Sequence, residues 1–371
     1  MRPRPQRLER LPEQYFGVLL ARVAAAGDVI DLGRGNPETG PPPHVVDALA
    51  EAASRANAHG YTPFRGLPEL REAIAERYRS VYGVDLDPET EVAVVPGTKT
   101  AIVELCLALA ERRSTVVLPD PWYPDYPSGP ALAGAKLETV PLDPAADWQP
   151  DFARAPHDDV AAVYLNYPSN PCAVVVRDGT FDAAIDYASA TGAAVVHDFA
   201  YGDLVFDGRE PRSFLATAGA KDVGVEMFSM SKSYGMAGWR IGFVVGNPEI
   251  VERINLLNDH VRVGIFRPMQ EAAIAALTGP QDSVAERVAT YQRRRDRVLE
   301  AVDAVSEGTF FVWFRLPDGL TEERLLTEHR VALAPGEGFG PSGAGWTRIS
   351  LAVTDEILEA GLQRLAPALG T

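Results

Sequence analysis

The chain has 371 residues, of which 46% are hydrophobic and 23% are charged. This composition supplies enough apolar material for a large core, so it excludes global disorder, and the length predicts about two domains. The 51 acidic side chains outnumber the 35 basic ones, for a formal net charge of −16. An excess of negative charge argues against binding to nucleic acid or to an anionic membrane, because phosphate groups repel it.

The cysteine and histidine content predicts no structural metal and no disulfide framework. Cys106 and Cys172 are the two cysteines, too few for either, and the histidines show no ligand spacing. The basic N-terminal residues are not followed by the apolar run of a signal peptide, and no apolar stretch is long enough to cross a membrane. We therefore expect a soluble, cytoplasmic protein.

Between about residues 90 and 246, short runs of β-branched residues alternate with alanine-rich helical runs. Strands are predicted at residues 92–95, 115–118, 160–165, 193–197, 225–228 and 241–245, and helices at 99–111 and 180–191. The strand runs are continuously apolar, as in strands covered on both faces. The pattern predicts an α/β fold with a mostly parallel mixed sheet covered by helices.

The pattern changes towards the C-terminus. Helices at 272–277 and 284–305 and strands at 310–315 and 347–352 predict a smaller α+β domain. We expect a large domain over residues 36–265 and a small domain formed by residues 1–35 and 266–371.

Polar or Gly/Pro-rich clusters follow five of the predicted strands, where the carboxyl ends of a parallel sheet bind ligands. The clusters are Pro96–Lys99, Asp120–Pro124, Asn166–Pro171, Asp198–Tyr201 and Ser229–Gly235. Each alone is ordinary turn chemistry, but five at one edge of one sheet predict a site.

Lys232 is the most informative residue of these clusters. Considered without its neighbours, Lys232 is explained as a surface lysine in a turn. However, Ser229, Ser231 and Arg240 flank it in a glycine-rich stretch, and these groups hold anions. A reachable lysine beside a phosphate cradle is suited to a Schiff base, for which its pKa must be lowered.

Several motifs together resemble one family along residues 11–365. They are Ser229-x-Ser231-Lys232 with Gly238-Trp239-Arg240, Asn166-Tyr-Pro-Ser-Asn170-Pro171, Asp198-x-x-Tyr201, and Gly60-Tyr61-Thr62-Pro63. The chain is thereby similar to the class I/II (fold type I) pyridoxal-phosphate-dependent aminotransferases, closest to the LL-diaminopimelate aminotransferase-like branch. The resemblance implies pyridoxal 5'-phosphate as cofactor and makes residues 36–265 the cofactor-binding domain.

The resemblance also implies roles around the cofactor ring. Lys232 would hold the cofactor covalently and shuttle a proton, and Asp198 would keep the ring nitrogen protonated. Tyr201 and Asn170 would hydrogen-bond the phenolic oxygen, and Tyr123 would stack on the ring.

A phosphate cup is implied at the N-terminus of the helix that begins near residue 98. The backbone N–H groups of Thr98 and Lys99 would point at the phosphate. Ser229, Ser231 and Arg240 would complete the cup.

Substrate and partner contacts follow from the same resemblance. Arg348 would bind the substrate α-carboxylate as a bidentate fork, with Asn170 and the backbone near Gly35 beside it. Tyr61 would reach the phosphate of a neighbouring subunit, which implies a homodimer.

The expected function is transfer of an amino group between an amino acid and a 2-oxo acid. Arg34, Arg262 and Arg267 are expected at the mouth of the site, so at least one substrate is expected to be dicarboxylic. The alternative is that Arg262 and Arg267 are solvated or pair with Asp259 and Glu271. The same scaffold also supports a lyase, a cyclase or a decarboxylase, because the bond broken at Cα depends on its orientation to the ring. A more distant alternative is a non-catalytic regulator with this fold.

Overall fold

A computed structural model describes residues 3–370; Met1, Arg2 and Thr371, which belong to the predicted small domain, lie outside the described residues. The strands are β1 (Ile30–Asp31), β2 (Val92–Val95), β3 (Thr115–Asp120), β4 (Lys136–Pro141), β5 (Val160–Asn166), β6 (Ala194–Asp198), β7 (Gly224–Ser229), β8 (Gly242–Gly246), β9 (Phe311–Arg315), β10 (Val331–Ala332), β11 (Ala334–Pro335) and β12 (Trp346–Ser350).

The helices lie mostly between the strands. They are α1 (Gln6–Glu9), α2 (Tyr15–Ala26), α3 (Pro43–Ser54), α4 (Pro68–Arg77), α5 (Thr98–Leu109), α6 (Ser128–Ala133), α7 (Thr180–Thr191), α8 (Ala220–Val223), α9 (Met230–Ser233), α10 (Pro248–Val261), α11 (Arg267–Thr278), α12 (Asp282–Leu299), α13 (Glu322–Thr327) and α14 (Asp355–Leu369). Between residues 3 and 370, none of them has the length and apolar character needed to traverse a lipid bilayer.

The central sheet has the strand order β2-β8-β7-β6-β5-β3-β4. All its strands run in one direction except β8, which pairs antiparallel with both β2 and β7. Every residue of β2, β3, β7 and β8 is buried, which explains their continuous apolar runs. The predicted α/β fold with a mostly parallel mixed sheet is confirmed.

Two predictions of individual elements were incomplete. Strand β4 was missed because it is an edge strand whose first residues, Lys136 to Glu138, are exposed and carry no apolar run. The helix predicted at 284–305 ends at Leu299 instead. Beyond it, Val302 packs into a core formed with the C-terminal strands, and the N–H of Glu307 donates to the carbonyl of Ala173 at 2.8 Å. These tertiary contacts prevail over local helix propensity.

A smaller antiparallel sheet is formed by β11, β12 and β9. The N-terminal strand β1 pairs in parallel with β10, so residues near position 30 lie beside the C-terminal segment. Helix α11 packs against α3 and α4. The division into residues 36–265 and the remainder stays a prediction.

A buried ion pair fixes the C-terminal end of α4 to the loop after β6. The Arg77 guanidinium donates to the carboxylate of Asp203, and both side chains are less than a tenth exposed. The Tyr82 hydroxyl also donates to Asp203, at 3.2 Å, and the guanidinium lies 5.2 Å from the centre of the Phe228 ring. The pair therefore anchors the base of the loop that carries Tyr201.

Replacing Asp203 by Asn should destabilise the protein by about 3 kcal/mol, because removing one partner leaves the other charge buried without compensation. The free energy of unfolding, measured by urea denaturation, checks this value. As a control, Glu328→Gln breaks the exposed pair with Arg324 and should leave the free energy of unfolding nearly unchanged. Equal losses in the two variants would contradict the importance of the buried pair.

Candidate active site

The site lies at the edge of the central sheet where its parallel strands end. Strands β2, β3, β5, β6 and β7 share a direction, so their carboxyl ends and the polar residues that follow meet at this edge. Strand β8 runs the other way, and its first residue, Gly242, pairs with Ser229 and Val95. Arg240, two residues before Gly242, is therefore delivered to the same edge.

A cavity of about 360 Å³ occupies this edge, and every predicted cofactor and substrate residue lines it except Tyr61. Those residues are Gly35, Thr98, Lys99, Tyr123, Asn170, Asp198, Tyr201, Ser229, Ser231, Lys232, Arg240 and Arg348. The cavity is also lined by residues for which no individual role was predicted, namely Phe16, Leu19, Leu20, Asp31, Asn36, Ile102, Asn166, Ala200, Ala237 and Phe311.

Lys232 projects from the short helix α9 into this cavity. Its Nζ donates to the carbonyl of Gly35 at 3.3 Å and lies 5.0 Å from the centre of the Phe310 ring. Burial, together with the cations of Arg348 and Arg240, lowers the pKa of Lys232 to about 8, against the opposing effect of Asp198. A large fraction of this amine is uncharged near pH 8, as a nucleophilic lysine requires.

Asp198 is a buried carboxyl group, 5% exposed, at the end of β6. The Tyr126 hydroxyl donates to its Oδ2 at 2.8 Å, and the N–H of Ala200 donates to its Oδ1 at 3.1 Å. Burial raises the pKa of Asp198, while the hydrogen bond from Tyr126 opposes that rise. Tyr126 was missed from the sequence, although it lies only three residues after Tyr123.

Asn170 and Arg348 are joined directly. The Arg348 Nη1 donates to Asn170 Oδ1 at 2.6 Å, and its Nη2 donates to the carbonyl of Gly33 at 3.1 Å. The N–H of Asn170 in turn donates to Asn166 Oδ1 at 2.7 Å. Arg348 therefore links strand β12 to the loop after β5 and to the N-terminal segment.

The Arg348 guanidinium is fully buried and lies between aromatic rings. Its carbon is 3.7 Å from the ring centre of Phe311 and 4.7 Å from that of Phe339. Burial lowers the pKa of Arg348 to about 10, so it remains a cation at neutral pH. Its Nε is buried and has no hydrogen-bond partner among residues 3–370. An unsatisfied buried donor of this kind suits an anionic ligand.

Several other residues of the cavity suit a phosphate. Helix α5 begins at Thr98, so its first N–H groups have no acceptor within the helix. The hydroxyl of Ser229 accepts from the N–H of Ser231 at 3.2 Å, and both serines line the cavity. Gly97 has a φ of 85°, and a side chain there would collide with the guanidinium of Arg240, so glycine allows the arginine to approach.

Helix α2 covers one side of the cavity. The Lys99 Nζ pairs with Asp125 Oδ2 at 2.9 Å, and Gln14 Nε2 donates to Asp125 Oδ1 at 3.1 Å. The Phe16 ring of α2 lies 6.1 Å from that of Tyr123. No local pattern predicts this contact, because α2 is far from the site in the chain and its apolar residues are typical of an ordinary core helix.

The arginines expected at the mouth do not all lie there. Arg34 is exposed and lines the cavity. Arg262 instead donates to the carbonyl of Val94 at 3.2 Å and lies 3.7 Å from Glu104. Arg267 pairs with Glu271, one helical turn along α11, at 3.4 Å. Arg262 and Arg267, which were expected at the mouth of the site, therefore do not line this cavity; the alternative pairing of Arg267 with Glu271 is the one observed, and Arg262 lies near Glu104.

The remaining reactive side chains add no second centre. Burial raises the pKa of the Cys106 thiol to about 12 and also raises that of Cys172, which disfavours either as a nucleophile. In the portion of the chain that the structure describes, no three His, Cys, Asp or Glu side chains are grouped so as to hold a metal.

Comparisons with known proteins agree with this geometry. The family "aminotransferase class I and II" matches residues 27–365. The L-glutamine–4-(methylsulfanyl)-2-oxobutanoate aminotransferase of Bacillus subtilis (strain 168) is 43% identical over 96% of this chain and 94% of its own. The LL-diaminopimelate aminotransferase of Dehalococcoides mccartyi (strain ATCC BAA-2266 / KCTC 15142 / 195) is 38% identical over 97% of each chain.

Among solved structures, substrate-bound BacF from Bacillus subtilis superposes with a TM-score of 0.94 at 37% identity, covering 99% of this chain and 98% of BacF. The matches extend over nearly the whole sequence and include every strand of the central sheet. The chain therefore belongs to the class I and II aminotransferases, enzymes that move an amino group between an amino acid and a 2-oxo acid.

Proposed function

We propose that this aminotransferase works with pyridoxal 5'-phosphate bound at the edge of the central sheet, and that Lys232, Asp198 and Tyr201 are its catalytic residues. The observation that carries the proposal is the convergence of Lys232, Asp198 and Arg348 on one cavity. An amine of lowered pKa, a buried carboxyl group and a buried guanidinium are the groups that an amino-acid reaction at this cofactor needs.

The residues present fit the cofactor. The hydroxyls of Ser229 and Ser231, the start of α5 at Thr98 and Lys99, and Arg240 are a donor set for a phosphate dianion. Glycine at position 97 leaves space for the Arg240 guanidinium to approach this phosphate-binding group of residues. These residues are where the phosphate would be held.

The ring would be held by the other polar residues. Asp198 would accept from the pyridine nitrogen, and Tyr201 and Asn170 would face the phenolic oxygen. Tyr123 would cover one ring face. When bound, pyridoxal phosphate supplies an electron sink for the charge that develops at the substrate Cα.

Three groups of the chain would act on the substrate. Lys232 Nζ would accept and return the proton, because its pKa of about 8 is matched to neutral and mildly alkaline pH. Arg348 would bind the α-carboxylate with donors that Asn170 and Gly33 leave free. Asp198 would hold a proton on the facing nitrogen through its negative charge, a function that an amide could not perform.

The product of a single turnover tests this function. Incubation of the cofactor-loaded enzyme with an amino acid alone should yield about one equivalent of 2-oxo acid per subunit and no free ammonia, since the amino group is retained. Lys232→Ala should yield none, whereas the exposed Lys136→Ala should behave as the wild type. Ammonia released over many turnovers would instead indicate a lyase.

We also propose a homodimer in which Tyr61 completes the partner's site. Tyr61 is 88% exposed, and Val261, Val263 and Phe266 are exposed beside it on a neighbouring segment. The two segments are joined because the Thr62 hydroxyl donates to the carbonyl of Ile265 at 2.9 Å. An exposed apolar patch of this kind is typical of a protein–protein interface.

Mixed dimers test the sharing of sites. Co-expression of Tyr61→Phe and Lys232→Ala chains with different tags gives heterodimers in which one site retains both Lys232 and the partner's tyrosine. That site should bind the cofactor as the wild type does, whereas Tyr61→Phe homodimers should bind it about tenfold more weakly, from loss of one hydrogen bond. Failure of the tags to co-purify, or weak binding in the heterodimer, would contradict the proposal.

We further propose that at least one substrate is dicarboxylic, on the support of Arg34 alone. Its exposed guanidinium is at the rim of the cavity, while Phe16, Leu19 and Leu20 line an apolar wall suited to methylene groups. A nearby cation outweighs the overall negative charge, because screening limits distant charges to a Debye length of about 8 Å.

Arg34→Gln should raise KM for 2-oxoglutarate about tenfold and leave KM for pyruvate nearly unchanged, because a charge-assisted hydrogen bond to the second carboxylate is lost. Arg267→Gln, outside the cavity, is the matched control and should change neither value. Equal effects of Arg34→Gln on both oxo acids would show that the second carboxylate is not bound there.

A further inference from the structure

Helix α2 supplies an apolar wall of the cavity although it belongs to the N-terminal segment of the chain. Phe16, Leu19 and Leu20 of this helix line the cavity. The Arg348 guanidinium carbon lies 5.7 Å from the centre of the Phe16 ring, so a carboxylate bound by Arg348 has this wall beside it. The position of the wall depends on the contacts that hold α2 against the central sheet.

One glutamine side chain holds α2 to the loop after β3. Gln14 Nε2 donates to Asp125 Oδ1 at 3.1 Å, and Asp125 is 8% exposed. Among residues 3–370, this is the one hydrogen bond that joins residues 14–26 to residues 36–265. The other hydrogen bonds that leave residues 14–26 run to the C-terminal part of the chain.

The orientation of the Gln14 amide follows from the groups that face it. Its Oε1 accepts from the N–H of Gly17 at 2.6 Å and thereby caps the first turn of α2. Because a backbone N–H can only donate, the amide oxygen faces Gly17 and the amide nitrogen faces Asp125. An amide nitrogen also can only donate, so the Asp125 oxygen is the acceptor whether or not that group is charged.

Asp125 belongs to the loop that carries Tyr123, the residue proposed to cover the cofactor ring. Its second oxygen, Oδ2, lies 2.9 Å from the Nζ of Lys99, in the first turn of α5. The Phe16 ring of α2 lies 6.1 Å from the Tyr123 ring. The hydrogen bond of Gln14 therefore fixes the wall to the same loop that would contact the cofactor.

We propose that Gln14 is a positioning residue for the substrate, which holds the wall of α2 against the cavity through Asp125 and thereby favours amino acids with a long apolar side chain. The proposal rests on the proposed function, because it concerns the side chain of an amino acid bound to Arg348. A leucine side chain would bury apolar surface against the wall, whereas the methyl group of alanine offers it little area.

Three variants break and restore the hydrogen bond. Gln14→Glu keeps the oxygen that caps Gly17 but places its other carboxylate oxygen against Asp125, where a donor is needed. Asp125→Asn keeps an acceptor for Gln14. The double variant restores the bond in the opposite direction, since the asparagine amide can donate to the glutamate. Gln6→Glu, at an exposed position of α1, adds the same charge and is the matched control.

The first readout is KM for leucine and for alanine in the cofactor-loaded enzyme. Gln14→Glu should raise KM for leucine about fivefold and leave kcat and the KM for alanine unchanged, because binding is lost away from the reacting centre. Asp125→Asn, the double variant and Gln6→Glu should keep the leucine-to-alanine ratio of KM values found in the wild type. Equal changes for both amino acids, or a double variant that does not restore the ratio, would overturn the proposal.

The second readout is backbone hydrogen exchange in α2. Exchange should be about fivefold faster in Gln14→Glu and return to the wild-type rate in the double variant, because the helix opens more often when its bond to the loop is lost. An acidic side chain at a helix N-terminus by itself stabilises the helix, so an effect confined to α2 would slow exchange instead. Unchanged or slower exchange in Gln14→Glu would overturn the role of this bond.

The wild-type enzyme separates failure of this proposal from failure of the proposed function. Conversion of alanine without conversion of leucine would show that the wall does not receive the substrate side chain, and would overturn the proposal. Enzyme that forms no 2-oxo acid from any amino acid would instead show that the proposed function itself is wrong, while hydrogen exchange in α2 would still report whether Gln14 holds the helix.

Discussion

The site depends on one constraint, the shared direction of the strands of the central sheet. Because β2, β3, β5, β6 and β7 are parallel, residues far apart in sequence meet at one edge without any long excursion of the chain. The reversal of β8 is equally necessary, since it brings Arg240 back to the edge from which Lys232 departs. Asp198 ends β6, on the other side of β7 from β8, so the strand that leads to Lys232 lies between the strands that carry Asp198 and Arg240.

Burial shifts the pKa values of the charged groups that line the cavity. It lowers the pKa of Lys232 and raises that of Asp198, so each group is shifted towards its uncharged form. Neighbours then adjust each shift: Arg348 lowers the pKa of Lys232 further, while Tyr126 opposes the rise at Asp198. The contact of Arg348 with Asn170 also joins the C-terminal strand β12 to the cofactor side of the cavity. In the proposed function, this one hydrogen bond would couple substrate binding to cofactor chemistry.

The sequence predicted the sheet and most of the cavity, because strand ends and the motifs around Lys232 are local signals. It did not predict strand β4, whose exposed residues lack an apolar run. Tyr126 was missed since its hydrogen bond to Asp198 joins residues 72 positions apart in the chain. Arg262 was misplaced because charge alone cannot indicate that a guanidinium packs against Val94 and Glu104. Contacts of this kind arise from tertiary packing, which no local pattern encodes.

The most direct test of the central claim is the identity of the lysine that holds the cofactor. The enzyme loaded with pyridoxal phosphate would be reduced with borohydride, digested and mapped by mass spectrometry. The account predicts one modified peptide, labelled at Lys232, in about one copy per subunit. A label at Lys99, which also lines the cavity, or at any other lysine would contradict it.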